Sequence, residues 1–103
     1  MAEDYRGIDT FPYIKQFTLG SADICTEIKL PKQASRIQIG AESHKSKVAT
    51  SGTDNTTIST DNMFIPQGNI ITIKLGRGST RQNSLFVASQ SGSTVISLIL
   101  EEE

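Results

Sequence analysis

Apolar side chains recur at every second position through most of the chain, a period that matches the pleat of a β-strand and no helix. In FTL, Phe17 and Leu19 share a face. In DICTEIKL, Ile24, Ile28 and Leu30 share one face and Cys25, Glu27 and Lys29 the other. RIQIG opposes Ile37 and Ile39 to Arg36 and Gln38, and NIITIKL opposes Ile71, Ile73 and Leu75 to Ile70, Thr72 and Lys74. KVAT and TTIST read as weaker strands. No segment carries a helical stripe over three turns, and a single helical turn at PKQAS is the most the pattern allows.

The last two segments break the alternation. SLFVASQ sets Leu85 and Val87 against Phe86 and Ala88, and TVISLILEE sets Val95, Ser97 and Ile99 against Ile96, Leu98 and Leu100. A strand that is apolar on both sides belongs in the middle of a sandwich or at a subunit interface. Phe86, Leu98 and Leu100 are therefore candidate interface residues.

Between the strands, LGSAD, LPKQAS, ATSGTDN, IPQGN, GRGSTRQN and SQSGS concentrate Gly, Pro, Ser, Asn and Asp. Breakers at intervals of about 8 to 12 residues are the spacing of an all-β sandwich or barrel. Seven to nine short strands in 103 residues predict an antiparallel β-sandwich, with the jelly roll preferred because its two sheets take about eight strands. An immunoglobulin-like sandwich is the alternative, and its Cys, Trp, Cys core is missing. Residues 1–10 read as an extended N-terminal arm able to lie on a neighbouring subunit, and residues 11–103 as the sandwich domain. A domain this small buries less than ~70% of its unfolded surface, so support from neighbouring subunits is plausible.

The formal net charge is −1, but it is unevenly spread. From Ile28 to Arg81 there are eight basic side chains against three acidic ones, while the flanking segments carry eight acidic against two basic. Such a split suits head-to-tail complementarity between identical subunits. The single Cys25 cannot form an internal disulfide, which implies a reducing compartment or a buried, inert thiol. MAEDYRGIDT lacks the layout of a signal peptide, and no window reaches the ~18 apolar residues of a membrane span.

The inventory for catalysis is thin. His44 is the only histidine, and it could serve a nucleophile only by meeting Cys25 or a serine in space. Asp54 and Asp61 do not reproduce a calcium loop, one histidine makes no zinc site, and no cofactor is expected. Asn55 opens an N-glycosylation pattern, NTT, which is silent without a secretory signal. Of the six aromatic residues, Phe11, Phe17, Phe64 and Phe86 follow the core pattern, which leaves Tyr5 and Tyr13 for stacking on a sugar. LGRGSTRQN, residues 75–83, follows a strand but lacks the Lys-Ser/Thr pair and the helix of a phosphate loop. It reads instead as a hairpin tip, with Gly76 and Gly78 free to take positive φ and with Arg77 and Arg81 exposed to bind carboxylates of a protein partner. At this net charge a protein partner ranks ahead of nucleic acid.

With these features assembled, the chain resembles small structural proteins of tailed bacteriophages. LPKQASRIQI (30–39), IPQGNIITIKL (65–75) and LFVASQSGSTVISLILEE (85–102) carry the resemblance, with VAS…G…V making the last hairpin. The resemblance implies a non-enzymatic jelly-roll virion component, made in the host cytoplasm: a decoration or cement protein bound to the major capsid protein as an oligomer, often a trimer. Its second implication is an adaptor or base domain of a head or tail fibre or spike, with carbohydrate binding as a further option. No site residues transfer from it.

Overall fold

The computed structural model describes residues 2–76 and 81–102, and among these it holds nine strands and no helix. They are β1 (Glu3–Asp4), β2 (Tyr13–Leu19), β3 (Thr26–Lys29), β4 (Arg36–Ala41), β5 (Ser46–Ala49), β6 (Asn62–Ile65), β7 (Ile70–Lys74), β8 (Ser84–Ser89) and β9 (Thr94–Glu101). Two sheets form, in the orders β1-β3-β8-β5-β6 and β2-β9-β4-β7. All strand pairs are antiparallel except the short β1–β3 ladder. The all-β, antiparallel β-sandwich predicted from the alternation is the architecture observed.

Pairing in the two sheets is nested. Within the run β2 to β9 the first strand pairs with the last, the second with the second-to-last, and so inward to β5 with β6. Every consecutive connection except β5 to β6 therefore crosses from one sheet to the other. This corrects two expectations. The 75–83 loop joins β7 to β8 in opposite sheets, so it is a crossover and not a hairpin tip; the VAS…G…V segment likewise joins β8 to β9 across the sandwich.

The core sits between the sheets and follows the alternation. β9 buries Ile96, Leu98 and Leu100 and leaves Val95, Ile99 and Glu101 half-buried on the outer face. Ile37 and Ile39 of β4 stand opposite Leu100 and Leu98, and Ile28, Leu85 and Val87 come from the other sheet. TTIST forms no strand and contributes only an isolated bridge between Thr57 and Ile24. NMFI, which the pattern reading passed over, is β6.

β8 is buried on both faces for an intramolecular reason. Leu85 and Val87 point into the main core, while Phe86 and Ala88 join a second cluster with Cys25, Ala49 and Ile58. The β5–β6 loop, residues 50–61, supplies Ile58 and bonds back onto the chain ahead of β3. The Cys25 N–H donates to the Thr56 carbonyl at 2.8 Å, and Asn55 and Ile58 donate to the carbonyls of Cys25 and Asp23, each at 2.9 Å. The Glu27 N–H donates to Asp54 Oδ1 at 2.8 Å. Gly52, at φ 148°, runs past the Phe86 ring in a conformation that a side chain would strain.

The N-terminal stretch lies on the chain's own sandwich. Glu3 and Asp4 pair with Ile28 and Lys29, the Tyr5 N–H donates to the Lys29 carbonyl at 2.9 Å, and Tyr5 is only 4% exposed, within the main core. Its hydroxyl donates to Glu3 Oε1 at 2.7 Å. Ile8, Phe11, Tyr13 and Phe17 pack around the same cluster.

These burial differences separate two leucine-sized side chains by their effect on stability. Leu98→Ala, in the main core, should cost about 3 kcal/mol. Ile14→Ala, 68% exposed on β2, should cost under about 0.5 kcal/mol. Urea unfolding of both variants beside the parent reads the difference directly.

Candidate functional site

Arg81 was expected on an exposed tip. It is instead a clasp: Nε and Nη2 donate to the Ala34 carbonyl at 3.2 and 2.8 Å, Nη2 also donates to the Pro31 carbonyl, and Nη1 donates to Asn83 Oδ1 at 2.9 Å. The Pro31–Ala34 turn is thereby fixed to the start of β8. Partial burial of the guanidinium pulls its pKa down from the usual arginine range. The neck of the loop is closed by the Gln82 N–H, which donates to the Leu75 carbonyl at 2.7 Å, and Gly76 takes φ 85°. Arg77 and Gly78 lie outside the described residues.

Phe86, Leu98 and Leu100 are also corrected as surface contacts. Leu98 and Leu100 are enclosed between the sheets, and Phe86 is enclosed by the 50–61 loop, so none offers its side chain to a partner. Tyr5 is lost as a stacking platform for the same reason. Tyr13 tilts against it with ring centroids 5.7 Å apart. Burial, reinforced by the hydrogen bond to Glu3, pushes the Tyr5 phenol above its ordinary range.

His44 does meet hydroxyl groups. Its Nδ1 lies 3.0 Å from Thr94 Oγ1, which lies 2.7 Å from Ser89 Oγ. Both hydroxyls are fully buried and tied to the turn between β8 and β9: each contacts the Gly92 carbonyl, and the Ser91 N–H donates to Ser89 Oγ at 3.1 Å. A nucleophile must reach its substrate, and these cannot. The chain of hydroxyls holds the turn. Among the described residues no group of three or more His, Cys, Asp or Glu side chains could hold a metal ion.

Two surface features remain, neither singled out by the sequence. On the outer face of the five-stranded sheet, a groove of about 450 Å³ is lined by Arg6, Glu27, Lys29, Lys32, Asn83 and Ser84, among others. Asp4 engages Arg6 as a fork, with Nε to Oδ1 at 2.9 Å and Nη2 to Oδ2 at 2.7 Å, and this holds the Asp4 carboxyl at a pKa of about 2. Glu27 Oε2 accepts the Ser84 hydroxyl at 2.9 Å. No sequence periodicity joins these residues, because the parallel β1–β3 pairing brings Arg6 to Lys29.

The second feature is apolar exposure on the side where the sheets end in β6 and β7. Met63 is 64%, Phe64 49% and Ile70 66% exposed. A depression of about 470 Å³ opens there, lined by Val48, Met63, Ile73 and Leu85 among others, from both sheets. Phe64 was assigned to the core; it faces outward with Lys45 Nζ 4.3 Å above its ring. The opposite edges differ: β1 is two residues long, and β2 carries Lys15 in the core-facing register opposite Leu98. An inward-pointing charge on an edge strand opposes pairing with another chain. No known protein family, characterised protein or solved structure matches the chain.

Two measurements check this geometry. Arg81→Ala strips charged donors from the Pro31 and Ala34 carbonyls and should cost on the order of 2 kcal/mol in urea unfolding. For Asp4, the folded pKa lies below the ordinary ~3.9. Its stabilising contribution is thus present above pH ~4 and lost as pH falls toward 2. Carboxyl NMR should show Asp4 titrating near 2 in the parent and near ~3.9 in Arg6→Ala.

Proposed function

We propose that this chain is a structural protein of a bacteriophage virion that decorates and stabilises the capsid as a jelly-roll cement protein. The nested pairing, in which eight strands fold back as one long double-stranded ribbon, supports the jelly-roll reading. One observation carries the function: every buried side-chain polar atom among the described residues is bonded, yet large apolar groups remain exposed, Met63, Phe64 and Ile70 on the edge strands β6 and β7 and Ile14 on β2. A stable monomer gains nothing from exposing Met63, Phe64 and Ile70 on its edge strands, whereas an adhesive subunit does. The charge of Lys15 guards the β2 edge against strand pairing while β6 and β7 carry no such guard, although Ile14 is exposed on the outer face of β2.

Capsid decoration needs many modest contacts repeated over a shell, and repetition supplies the avidity that each contact lacks. The β6/β7 side meets the major capsid protein or a second subunit, and the resemblance to oligomeric decoration proteins favours a trimer. The fibre or spike alternative is the weaker reading. Its carbohydrate platforms would be Tyr5 and Tyr13, of which the first is buried and the second packs against it.

Sedimentation with capsids that lack the protein tests the proposal. The parent should co-sediment and raise the capsid melting temperature. A Met63→Lys/Ile70→Lys variant should fold normally and bind roughly ten-fold more weakly, which corresponds to about 1.4 kcal/mol. Absence of the parent from the pellet, with no change in capsid melting, refutes the decoration role.

A further inference from the structure

The outer-face groove has an imbalance of donors over acceptors. Among the described residues, the guanidinium groups near it are already occupied, Arg6 by the Asp4 carboxylate and Arg81 by the backbone carbonyls of Pro31 and Ala34. The ammonium groups of Lys29 and Lys32 close no ion pair among the described residues. Asn83 uses its side-chain oxygen to accept from Arg81, which leaves its NH₂ to donate. The one acidic side chain in the lining, Glu27, already accepts from Ser84.

The walls are rigid. Arg81 pins the turn that carries Lys32, the Leu30 N–H donates to the Asn83 carbonyl at 2.9 Å, and Lys29 is held between Asp4 and Ser84 in the sheet. The backbone that carries the donors is thus fixed before a ligand arrives, and the ordering that remains on binding is that of the lysine side chains. We propose that this groove binds carboxylate groups of an acidic peptide segment, with Lys29, Lys32 and the Asn83 amide as the donors.

A polyphosphate chain fits less well. Glu27 and Asp4 stand within and beside the groove, and closely spaced backbone charges would meet them, whereas a peptide can place isolated carboxylates on the lysines. Nucleic acid also calls for aromatic platforms, and among the described residues no aromatic side chain lines the groove. Only the identity of the peptide's owner, a virion protein, rests on the function proposed above.

The test is a titration of the isotopically labelled full chain with an oligoglutamate peptide, followed by amide NMR. Saturable shifts at Lys29, Lys32 and Asn83 are expected, roughly ten-fold weaker in Lys29→Gln/Lys32→Gln and weakened by added salt. Restored affinity in Lys29→Arg/Lys32→Arg, together with an unchanged melting temperature in all variants, ties the loss to charge and not to unfolding. Absence of saturable shifts, shifts confined to other surfaces, or equal affinity in the Gln variant overturns the groove. Equal or tighter binding of inorganic phosphate or an oligodeoxynucleotide at the same amides overturns its assignment to carboxylates. Saturable oligoglutamate binding by a protein that sediments with no capsid upholds the groove and overturns the decoration role instead.

Discussion

Burial of aliphatic side chains between the two sheets is the contact on which everything else in the structure depends. β9 is its centre, paired to β2 on one side and β4 on the other, and its core face of Ile96, Leu98 and Leu100 meets the inward side chains of β3 and β8 across the sandwich. No disulfide supports the fold, since Cys25 is unpaired. Each buried Leu or Ile contributes on the order of 2 kcal/mol by leaving water, set against the entropy of ordering a chain this short. The nested pairing makes this economical in topology: one antiparallel ribbon, bent over, supplies both layers and their mutual register.

A second layer on the five-stranded sheet changes the meaning of the hydrophobic C-terminal half. Ala49, Phe86 and Ala88 would be an exposed apolar patch if the sheet faced water, and a sequence reading can as easily give them to a partner. The 50–61 loop covers them by laying Ile58 over Phe86 and by bonding its backbone to Cys25 and Asp23. A polar, Ser- and Thr-rich loop can do this because only one apolar side chain is required of it. The Asn55 and Ile58 amides and the Thr56 carbonyl find partners along the chain ahead of β3, so covering the patch also bonds part of the loop's backbone.

Strands were legible wherever one face is polar. RIQIG and NIITIKL lie where the alternation puts them, with Ile37 and Ile39 inward and Ile70, Thr72 and Lys74 outward, whereas TVISLILE, apolar on both faces, was legible as a strand but not in which face turns to the core. Connectivity was less legible, because Gly, Ser and Asn mark that a chain turns and not which sheet it enters next. That is why residues 75–83 and the VAS…G…V segment read as hairpins. Arg81 misled for a related reason: its partners are main-chain carbonyls fifty residues away or nearly so, and backbone acceptors leave no trace in side-chain patterning. Met63 and Phe64 were hidden in a short run whose period cannot be judged over four residues.

The same logic reshapes the charge asymmetry between the middle of the chain and its ends. Arg36 meets Glu101 at 3.0 Å and Lys47 meets Asp23 at 3.0 Å, so basic residues of the middle and acidic residues of the ends neutralise one another within the subunit. Hydrogen bonds from Gln38 and then Arg36 hold the Glu101 carboxyl below its ordinary range, which favours the charged form of that pair. Lys45 is engaged over Phe64. Head-to-tail attraction between subunits therefore cannot draw on the whole imbalance visible in the sequence. Lys29 and Lys32 stay available together, gathered on one groove at the β3 and β8 part of the five-stranded sheet. Under the capsid-decoration proposal, an apolar edge and a cationic groove would let one subunit hold two neighbours at once.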